Sequence, residues 1–185
     1  MRTAALIVLM VSWFSWGYPF IFHKPHRERR KSVVRLWPTR AGLVLEGIAI
    51  FVAFAFRLPP NSPPGMARVV ASVLLGPASA VLAFTAVRHL GSQFRIYAGL
   101  YEDHELVRTG PYALVRHPIY TSLLAILLAT LLLLTPWPWV AFALACFLAG
   151  TEIRVHSEDA LLASRFGEEY TAYRRAVRAY VPFIR

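Results

Sequence analysis

Residues 118–153 read PIYTSLLAILLATLLLLTPWPWVAFALACFLAGTEI, which is two apolar runs separated by a short turn of proline and tryptophan. A helix needs roughly 20 mostly apolar residues to cross a bilayer, and each run comes close to that length. The prolines at 136 and 138 prevent one continuous helix, and tryptophan favours the membrane interface. The stretch therefore predicts two membrane helices, at 118–134 and 137–153, joined by an interfacial turn.

Three further apolar runs precede this stretch, at 4–22, 41–56 and 67–87. The segment PPNSPPG at 59–65 cannot continue a helix and predicts a loop between the second and third runs. With 57% hydrophobic residues, the chain is more apolar than ordinary soluble domains. We predict an all-α integral membrane protein with about five transmembrane helices. No small-residue cleavage site precedes the first basic stretch, so we expect the run at 4–22 to be retained.

Basic residues flank the apolar runs. The loop at 23–40 holds seven Lys and Arg residues, whereas the segments 59–65 and 135–139 hold none. Because basic loops stay in the cytoplasm, this pattern predicts the N-terminus outside and the C-terminus in the cytoplasm. We expect an integral protein of a bacterial or archaeal cell membrane. The clustering of a +10 net charge between apolar runs points to membrane lipids as partners, and argues against nucleic acid.

The polar tail at 151–185 has apolar residues at three- and four-residue steps, which predicts a cytoplasmic amphipathic helical segment. Gly167 interrupts that pattern, so we expect two short helices. We interpret residues 1–185 as a single membrane domain. Its first part, 1–89, carries three helices, and 90–185 carries two more helices and the tail. Cys146 is the single cysteine, which excludes an intramolecular disulfide and a thiolate metal site.

Two polar segments next to the membrane concentrate titratable and aromatic side chains, at 104–120 and 152–162. In the first, Pro118 suits the first position of a helix, which would place His117 at its N-cap. Free amides at such a helix start can bind a carboxylate, such as the amino-acid end of a cofactor. The alternative is that His117 only caps the helix and that Arg116 only anchors it at the headgroups.

In the second segment, Arg154 and Glu158 are four residues apart and share one helix face, where they could form an ordinary surface ion pair. Ionisable groups at this depth are costly and tend to mark function. The guanidinium of Arg154 can hold a substrate carboxylate, and Glu158 or Asp159 can bind the positively charged end of a cofactor.

The segments GPY at 110–112, RHPIY at 116–120, EDALL at 158–162 and FGEEYTAY at 166–173 resemble the isoprenylcysteine carboxyl methyltransferase family and its phospholipid methyltransferase relatives. The resemblance covers roughly 90–184. It implies a methyltransferase that binds S-adenosyl-L-methionine in a cytoplasmic pocket and receives a lipophilic small-molecule acceptor from the bilayer. No metal and no obligate protein partner are implied.

By position, the resemblance assigns cofactor binding to His104, Leu106, Gly110, Tyr112, His117, Pro118, Tyr120, Glu158 and Asp159. It associates Arg154 with the acceptor, which we expect Arg154 to orient. We expect Glu158 either to pair with Arg154 or to take a proton from an amine or thiol acceptor. Asp159 stands where the family usually has a second glutamate, and Ser122 where a glycine often follows the tyrosine. We expect Phe166, Tyr170 and Tyr173 to form a lid or scaffold.

Two other functions remain open from the sequence. A sterol-reductase-like NADPH oxidoreductase shares the Arg-His-Pro and Gly-x-x-Tyr architecture, although nothing here adds a nicotinamide signature. A non-enzymatic membrane assembly or lipid-binding protein would need only the apolar runs. The acceptor is also open, among a prenylcysteine carboxylate, a phospholipid amine and a small hydrophobic thiol or acid.

Overall fold

The computed structural model describes residues 2–22, 32–34, 36–94, 99–101 and 104–181. These residues contain the helices α1 (Arg2–Phe22), α2 (Leu36–Ala55), α3 (Met66–Leu90), α4 (Pro118–Leu134) and α5 (Trp137–Ala176). Two strands of three residues, β1 (Ser32–Val34) and β2 (Gly99–Tyr101), pair antiparallel. The predicted all-α fold class is confirmed, and the short strand pair is a small addition that the sequence does not predict.

Four helices, α1, α2, α3 and α5, are long and apolar enough to cross a membrane, whereas α4 is a shorter apolar helix of 17 residues. At 1.5 Å per residue, α4 spans about 26 Å, slightly less than the hydrocarbon core. Large apolar side chains cover the outer helices, and Phe14, Ile21 and Phe51 are 76%, 75% and 68% exposed. This surface fits lipid contact, so the helices form an integral membrane protein.

Helix α4 lies at the centre of the bundle. It packs along α3, while α1 also packs along α3 and α2 packs along α5. Leu127 and Leu131 of α4 are fully buried in a core that includes Phe147 of α5. This central position explains why α4 can be short, because protein contacts surround it and leave little of it to face lipid.

The Pro-rich loop and the turn before α5 lie at the same end of the bundle, as the charge pattern predicts. The amide of Leu58 donates to the carbonyl of Leu134 at 2.6 Å. The guanidinium of Arg68 donates to the carbonyls of Leu132 at 2.7 Å, Leu131 at 3.0 Å and Thr135 at 2.5 Å. The carbonyl of Leu131 also accepts from the amide of Thr135 at 3.0 Å, whereas the bonds to Leu132 and Leu134 satisfy carbonyls near the end of α4, where intrahelical donors run out.

Helix α5 extends well beyond its apolar part. The tail is not a separate pair of helices, because its first part continues α5 without a break as far as Gly167. There φ is 51° and ψ is −122°, a conformation that favours glycine, and the helix changes direction. The predicted interruption at Gly167 is therefore confirmed, and the residues after it fold back towards the start of α4.

Candidate functional site

A cavity of about 610 Å³ lies between the two polar segments and the membrane helices. One end is polar and is lined by residues of the 104–120 segment and of α5. The other end is apolar and is lined by α1 and α2. The polar lining includes His104, Tyr112, Arg116, His117, Tyr120, Arg154, Glu158, Tyr170 and Tyr173. The cavity therefore joins a cluster of ionisable groups to a region at membrane depth.

Asp159 links several side chains of the polar cluster. Its carboxylate accepts from Arg116 Nη2 at 3.0 Å, lies 2.8 Å from His117 Nε2 and also accepts from the hydroxyl of Tyr170. A straight helix would separate residues 159 and 170 by about 16 Å, so the break at Gly167 is what allows this contact. Asp159 is 5% exposed and Tyr170 is fully buried. Asp159 thus fixes the start of α4 to both parts of α5.

Glu158 faces the cavity from the neighbouring position. Its carboxylate lies 3.2 Å from His117 Nδ1 and accepts a hydrogen bond from the hydroxyl of Tyr120. His117 therefore has a carboxylate at each ring nitrogen, Glu158 at one and Asp159 at the other. Burial would lower the pKa of His117, but the hydrogen bonds to both carboxylates outweigh burial and raise it above its ordinary value.

The last turn of α5 and the chain after it complete this end of the site. Residues 177–181 run beside the start of α4, where the amides of Arg116 and His117 donate to the carbonyls of Arg178 and Ala179, both at 2.7 Å. The hydroxyl of Tyr173 donates to the carbonyl of Tyr112 at 2.5 Å. Burial and the nearby Glu158 raise the pKa of the Tyr112 hydroxyl, which stays neutral at physiological pH.

Arg154 lies at the boundary between the polar and apolar ends. Its Nη1 donates to Glu46 of α2 at 2.5 Å, and its guanidinium carbon lies 4.7 Å from the centre of the Tyr120 ring. Thr151 donates to the other oxygen of Glu46 at 3.1 Å. Gly42 leaves room for the Arg154 stem, because a Cβ there would approach Arg154 Cγ to 2.4 Å. The close crossing of α2 and α5 therefore fixes this ion pair.

The apolar end of the cavity is formed by α1 and α2, whose main packing partners are different helices. Its walls include Trp16, Phe20, Leu43 and Ile50. Gly17 and Gly47 also line it, and a Cβ at either would meet no atom within 4 Å. Open space therefore lies beside both glycines at membrane depth, where the aliphatic part of a lipophilic molecule can bind.

Most of the predicted site residues line this cavity, namely His104, Leu106, Tyr112, His117, Tyr120, Arg154 and Glu158. Three others lie around it. Pro118 begins α4 directly after His117, which is the N-cap as predicted. Gly110 has φ of 58°, and a Cβ there would approach the ring of His89 to 2.3 Å. Gly110 and Pro118 thus shape the backbone, and Asp159 positions His117 and Arg116.

Glu46 and the walls of α1 and α2 are site features that motif reasoning missed. Glu46 lies in the second apolar run, far from both polar segments in the sequence. One signal could have identified it: it is the only ionisable residue between 41 and 56, and such residues inside a span tend to be functional. Its partner could not have been identified, because Arg154 is 108 positions away.

The polar end suits a zwitterionic, cationic cofactor such as S-adenosyl-L-methionine. Arg116 lines the cavity, and its buried Nε makes no hydrogen bond among the described residues, so it can donate to a carboxylate. Glu158 supplies a carboxylate for a positive group. Within the described ranges, no cluster of three His, Cys, Asp or Glu side chains is arranged to hold a metal ion.

Comparison with known proteins places this geometry in a family. Residues 70–164 match the model of the isoprenylcysteine carboxyl methyltransferase (ICMT) family, and this range contains α4, the RHPIY motif and the site part of α5. The chain is 35% identical over 107 residues to a protein-S-isoprenylcysteine O-methyltransferase of Tribolium castaneum, covering 56% of this chain and 38% of that protein.

Two further relatives are named for the same methyltransferase activity. A probable protein-S-isoprenylcysteine O-methyltransferase of Oryza sativa subsp. indica is 36% identical over 102 residues, covering 54% of this chain and 51% of that protein. A protein-S-isoprenylcysteine O-methyltransferase of Schizosaccharomyces pombe is 37% identical over 84 residues, covering 45% of this chain and 35% of that protein. The chain spans about half the length of these relatives or less. Since the family model matches residues 70–164, slightly more than half of the chain, the chain belongs to the isoprenylcysteine carboxyl methyltransferase family.

Proposed function

We propose that this protein is an S-adenosyl-L-methionine-dependent methyltransferase that methylates a lipophilic acceptor at the cytoplasmic face of a membrane. The observation that carries the proposal is the cavity, which connects the buried cluster of His117, Glu158 and Tyr120 to apolar walls at membrane depth. One compartment can thus receive a water-soluble donor and a membrane-soluble acceptor. The named activity of the relatives supports methyl transfer.

The donor would bind at the polar end. Arg116 and the start of α4 would hold its carboxylate, and Glu158 its positive end. His104, Leu106 and Tyr112 would line the rest of its site, with Gly110, Pro118 and Asp159 shaping and positioning the walls. When bound, S-adenosyl-L-methionine supplies an activated methyl group. The chain's own contribution is to align the two substrates and exclude water, for which the buried Tyr170 and Tyr173 are well placed.

The acceptor would enter from the apolar end and meet the donor beside Arg154. The relatives are named for protein-S-isoprenylcysteine, so an isoprenyl thioether is the first acceptor type to test. The walls formed by Trp16, Phe20 and Ile50 would hold its hydrocarbon part. Arg154 would orient its polar end, and Glu158 would take a proton from an acceptor that carries one.

A binding and transfer experiment tests the proposal directly. The purified protein in detergent is incubated with labelled S-adenosyl-L-methionine, with NADPH in a parallel sample, and then with membrane lipid extract. We expect donor binding and label in a lipophilic product. Glu158→Gln and Arg154→Ala should lower the turnover, whereas Glu168→Gln, at an exposed position, should not. NADPH binding without donor binding would refute the proposal, and full turnover in both site variants would refute the two residue assignments.

The charge pattern supports an N-terminus outside and a C-terminus in the cytoplasm. Labelling with a membrane-impermeant thiol reagent tests this in a Cys146→Ser background. Asn61→Cys, in the Pro-rich loop, should react in intact cells, and Glu168→Cys should react only after lysis. The reverse pattern would invert the topology and move the cavity to the other face. The expectation of a bacterial or archaeal cell membrane stays a prediction, and the relatives compared above are eukaryotic.

The other two functions have less support. The family comparison gives no support to a sterol-reductase-like oxidoreductase. A purely structural membrane protein would have no need for buried carboxylates beside a cavity, because burying charge is costly.

A further inference from the structure

Trp16 of α1 lines the apolar end of the cavity and is held there by a hydrogen bond to α4. Its indole Nε1 donates to the hydroxyl of Ser122 at 3.0 Å. Ser122 is fully buried, and its hydroxyl donates to the carbonyl of Ile119 at 2.7 Å. Because the hydroxyl proton points to Ile119, the Ser122 oxygen is oriented to accept from the indole, whose only polar atom is this donor. The bond therefore fixes the Trp16 ring against the first part of α4.

The Trp16 ring lies close to the polar end of the cavity. Ser122 is one turn after Pro118, the first residue of α4, which is about 6 Å along the helix. His117 and Tyr120, which line the polar end, belong to the same end of α4. A hydrocarbon chain that begins at the polar end therefore passes Trp16 within its first few carbon atoms.

Apolar side chains of three helices line the cavity around this ring. On α1, the centres of the Trp16 and Phe20 rings are 4.7 Å apart, and the Phe20 ring also packs against Phe94. The sides formed by α4 and α2 include Ile119, Leu123, Leu43 and Ile50. Trp16 is thus one fixed wall among several packed walls.

The open side of this end lies at two glycines. Gly17 follows Trp16 on α1, Gly47 lies on α2, and both line the cavity. A Cβ at either glycine would meet no atom within 4 Å. Helix α1 packs mainly on α3, and α2 packs mainly on α5, so the glycines border a gap between helices. A narrow passage therefore runs beside the fixed ring of Trp16.

We infer that Trp16, fixed by Ser122, restricts the acceptor to a single hydrocarbon chain and excludes lipids that carry two chains. This inference rests on the proposed methyl transfer and narrows its acceptor. A single-chain carboxylate, such as an isoprenyl thioether, can pass the ring and continue between Gly17 and Gly47. A molecule that divides next to its polar end, as a diacyl lipid does, needs the space that the indole occupies. Trp16 determines this specificity, and Ser122 is its positioning residue.

Two isomeric acceptors that differ only in branching test the inference. S-hexadecyl-3-mercaptopropionate carries one straight chain, and S-(2-hexyldecyl)-3-mercaptopropionate divides into two chains at the second carbon from sulfur. The isomers share a carboxylate and a carbon count, so their transfer from water to an apolar site is similar. Without donor, we expect the detergent-solubilised protein to bind the straight isomer at least about tenfold more tightly. Equal affinities, tighter binding of the branched isomer or binding of neither would overturn the inference.

Ser122→Ala removes the partner of the indole and keeps a residue that favours helix. We expect the preference for the straight isomer to fall at least about threefold, because an unpaired indole N–H no longer holds the ring in place. Unchanged preference in this variant would refute the role of the Ser122 bond.

Thr130→Val is the matched control. Thr130 is also fully buried, donates to the carbonyl of Ile126 at 2.8 Å and accepts from Nε1 of Trp13 at 3.0 Å. Among the described residues, Trp13 does not line the cavity. The preference should therefore be unaltered in Thr130→Val, and a fall equal to that in Ser122→Ala would assign the effect to general loosening of α1.

Trp16→Phe removes the indole N–H and leaves a smaller ring. It should lower the preference at least as much as Ser122→Ala does, and adding Ser122→Ala to it should change little, since both act through the same ring. Fully additive effects would refute the positioning of Trp16 by Ser122.

Label transfer separates this inference from the proposed function. The same two isomers are incubated with S-adenosyl-L-methionine labelled on its methyl group. A binding preference that Ser122→Ala lowers, without label in either isomer, would refute methyl transfer and preserve the selectivity. Equal labelling of the two isomers at limiting concentration would refute the selectivity and leave methyl transfer intact.

Discussion

At the end of the bundle that carries the Pro-rich loop, Arg68 donates to backbone carbonyls, whereas at the opposite end of α4 Arg116 and Arg154 meet carboxylates. Carbonyls at a helix end carry only partial charge and need a donor wherever the helix stops. The pairs at the other end hold full charges beside a cavity. The comparison shows that arginine can bind the carbonyls at a helix end in one place and form part of a site in another.

The largest expected effect is at the site end, where Asp159→Asn removes the charge that Arg116 and His117 share. We expect the free energy of unfolding to fall by about 3 kcal/mol or more, because two cationic groups lose a buried partner. Donor binding should be lost with it. Unfolding in detergent and binding of labelled S-adenosyl-L-methionine measure the two effects.

The matched control for Asp159→Asn is Glu169→Gln. Glu169 pairs with Arg108 at 2.8 Å, and both side chains are 49% exposed. An exposed pair contributes less than about 1 kcal/mol, so stability and donor binding should change little. Equal losses in the two variants would show that Asp159 has no special role.

A smaller effect is expected at the loop end, where Arg68→Ala removes the donors for three carbonyls near the end of α4. We expect a loss of about 1–3 kcal/mol in unfolding free energy, with unchanged donor affinity in the protein that remains folded. Arg57→Ala is the control, since Arg57 is exposed and donates to one carbonyl, that of Phe54. If Arg68→Ala weakened donor binding as much as stability, the two ends would not be functionally distinct.

The border between the two ends can be tested with two glycines of α2. Gly42→Ala should destabilise the protein by about 1–3 kcal/mol, because the new methyl group collides with Arg154 and with the α5 backbone. Gly47→Ala meets open space and should stabilise the helix by up to about 1 kcal/mol. Thermal unfolding compares the pair, and a loss of stability at Gly47 would mean that the cavity is closed there.

The smallest effect is a pH dependence of stability at the site end. The folded state binds the His117 proton more tightly than the unfolded state, because its pKa is raised above the ordinary value of 6.5. This contribution is complete below that ordinary value and is lost as the pH rises through the folded pKa. The unfolding midpoint should therefore fall more steeply than in His117→Gln as the pH rises above the ordinary value of 6.5. Parallel curves would assign the pH dependence to other groups.

Much of this architecture could be predicted from local sequence. The apolar runs located all five helices, since a membrane helix is defined by its own length and composition. The helix start at Pro118 and the break at Gly167 follow from backbone restrictions of single residues. The motif segments indicated which side chains line the cavity, but they did not separate His117 and Glu158, which face it, from Asp159 and Gly110, which support it.

The ends of the elements and the partners of the charges were harder to predict. The start of the tail reads as an amphipathic helix of its own, yet it continues α5, because nothing in the local pattern ends a helix before Gly167. Arg154 and Glu158 share a helix face, so a local pair was the natural expectation. The fold adds partners that the local pattern does not reveal: Glu46 for Arg154, and His117 and Tyr120 for Glu158.

The sequence by itself determined a helical membrane protein with the motif segments of the isoprenylcysteine carboxyl methyltransferase family, because hydrophobic length and local turn chemistry need no distant partner. Only the tertiary structure decided how the charges combine. Glu46 and Arg154 are brought together where α2 and α5 touch at Gly42 and Gly150, and that contact depends on the packing of two helices far apart in the chain. A carboxylate in a membrane helix is visible in the sequence, but the charge that it balances is set by the fold.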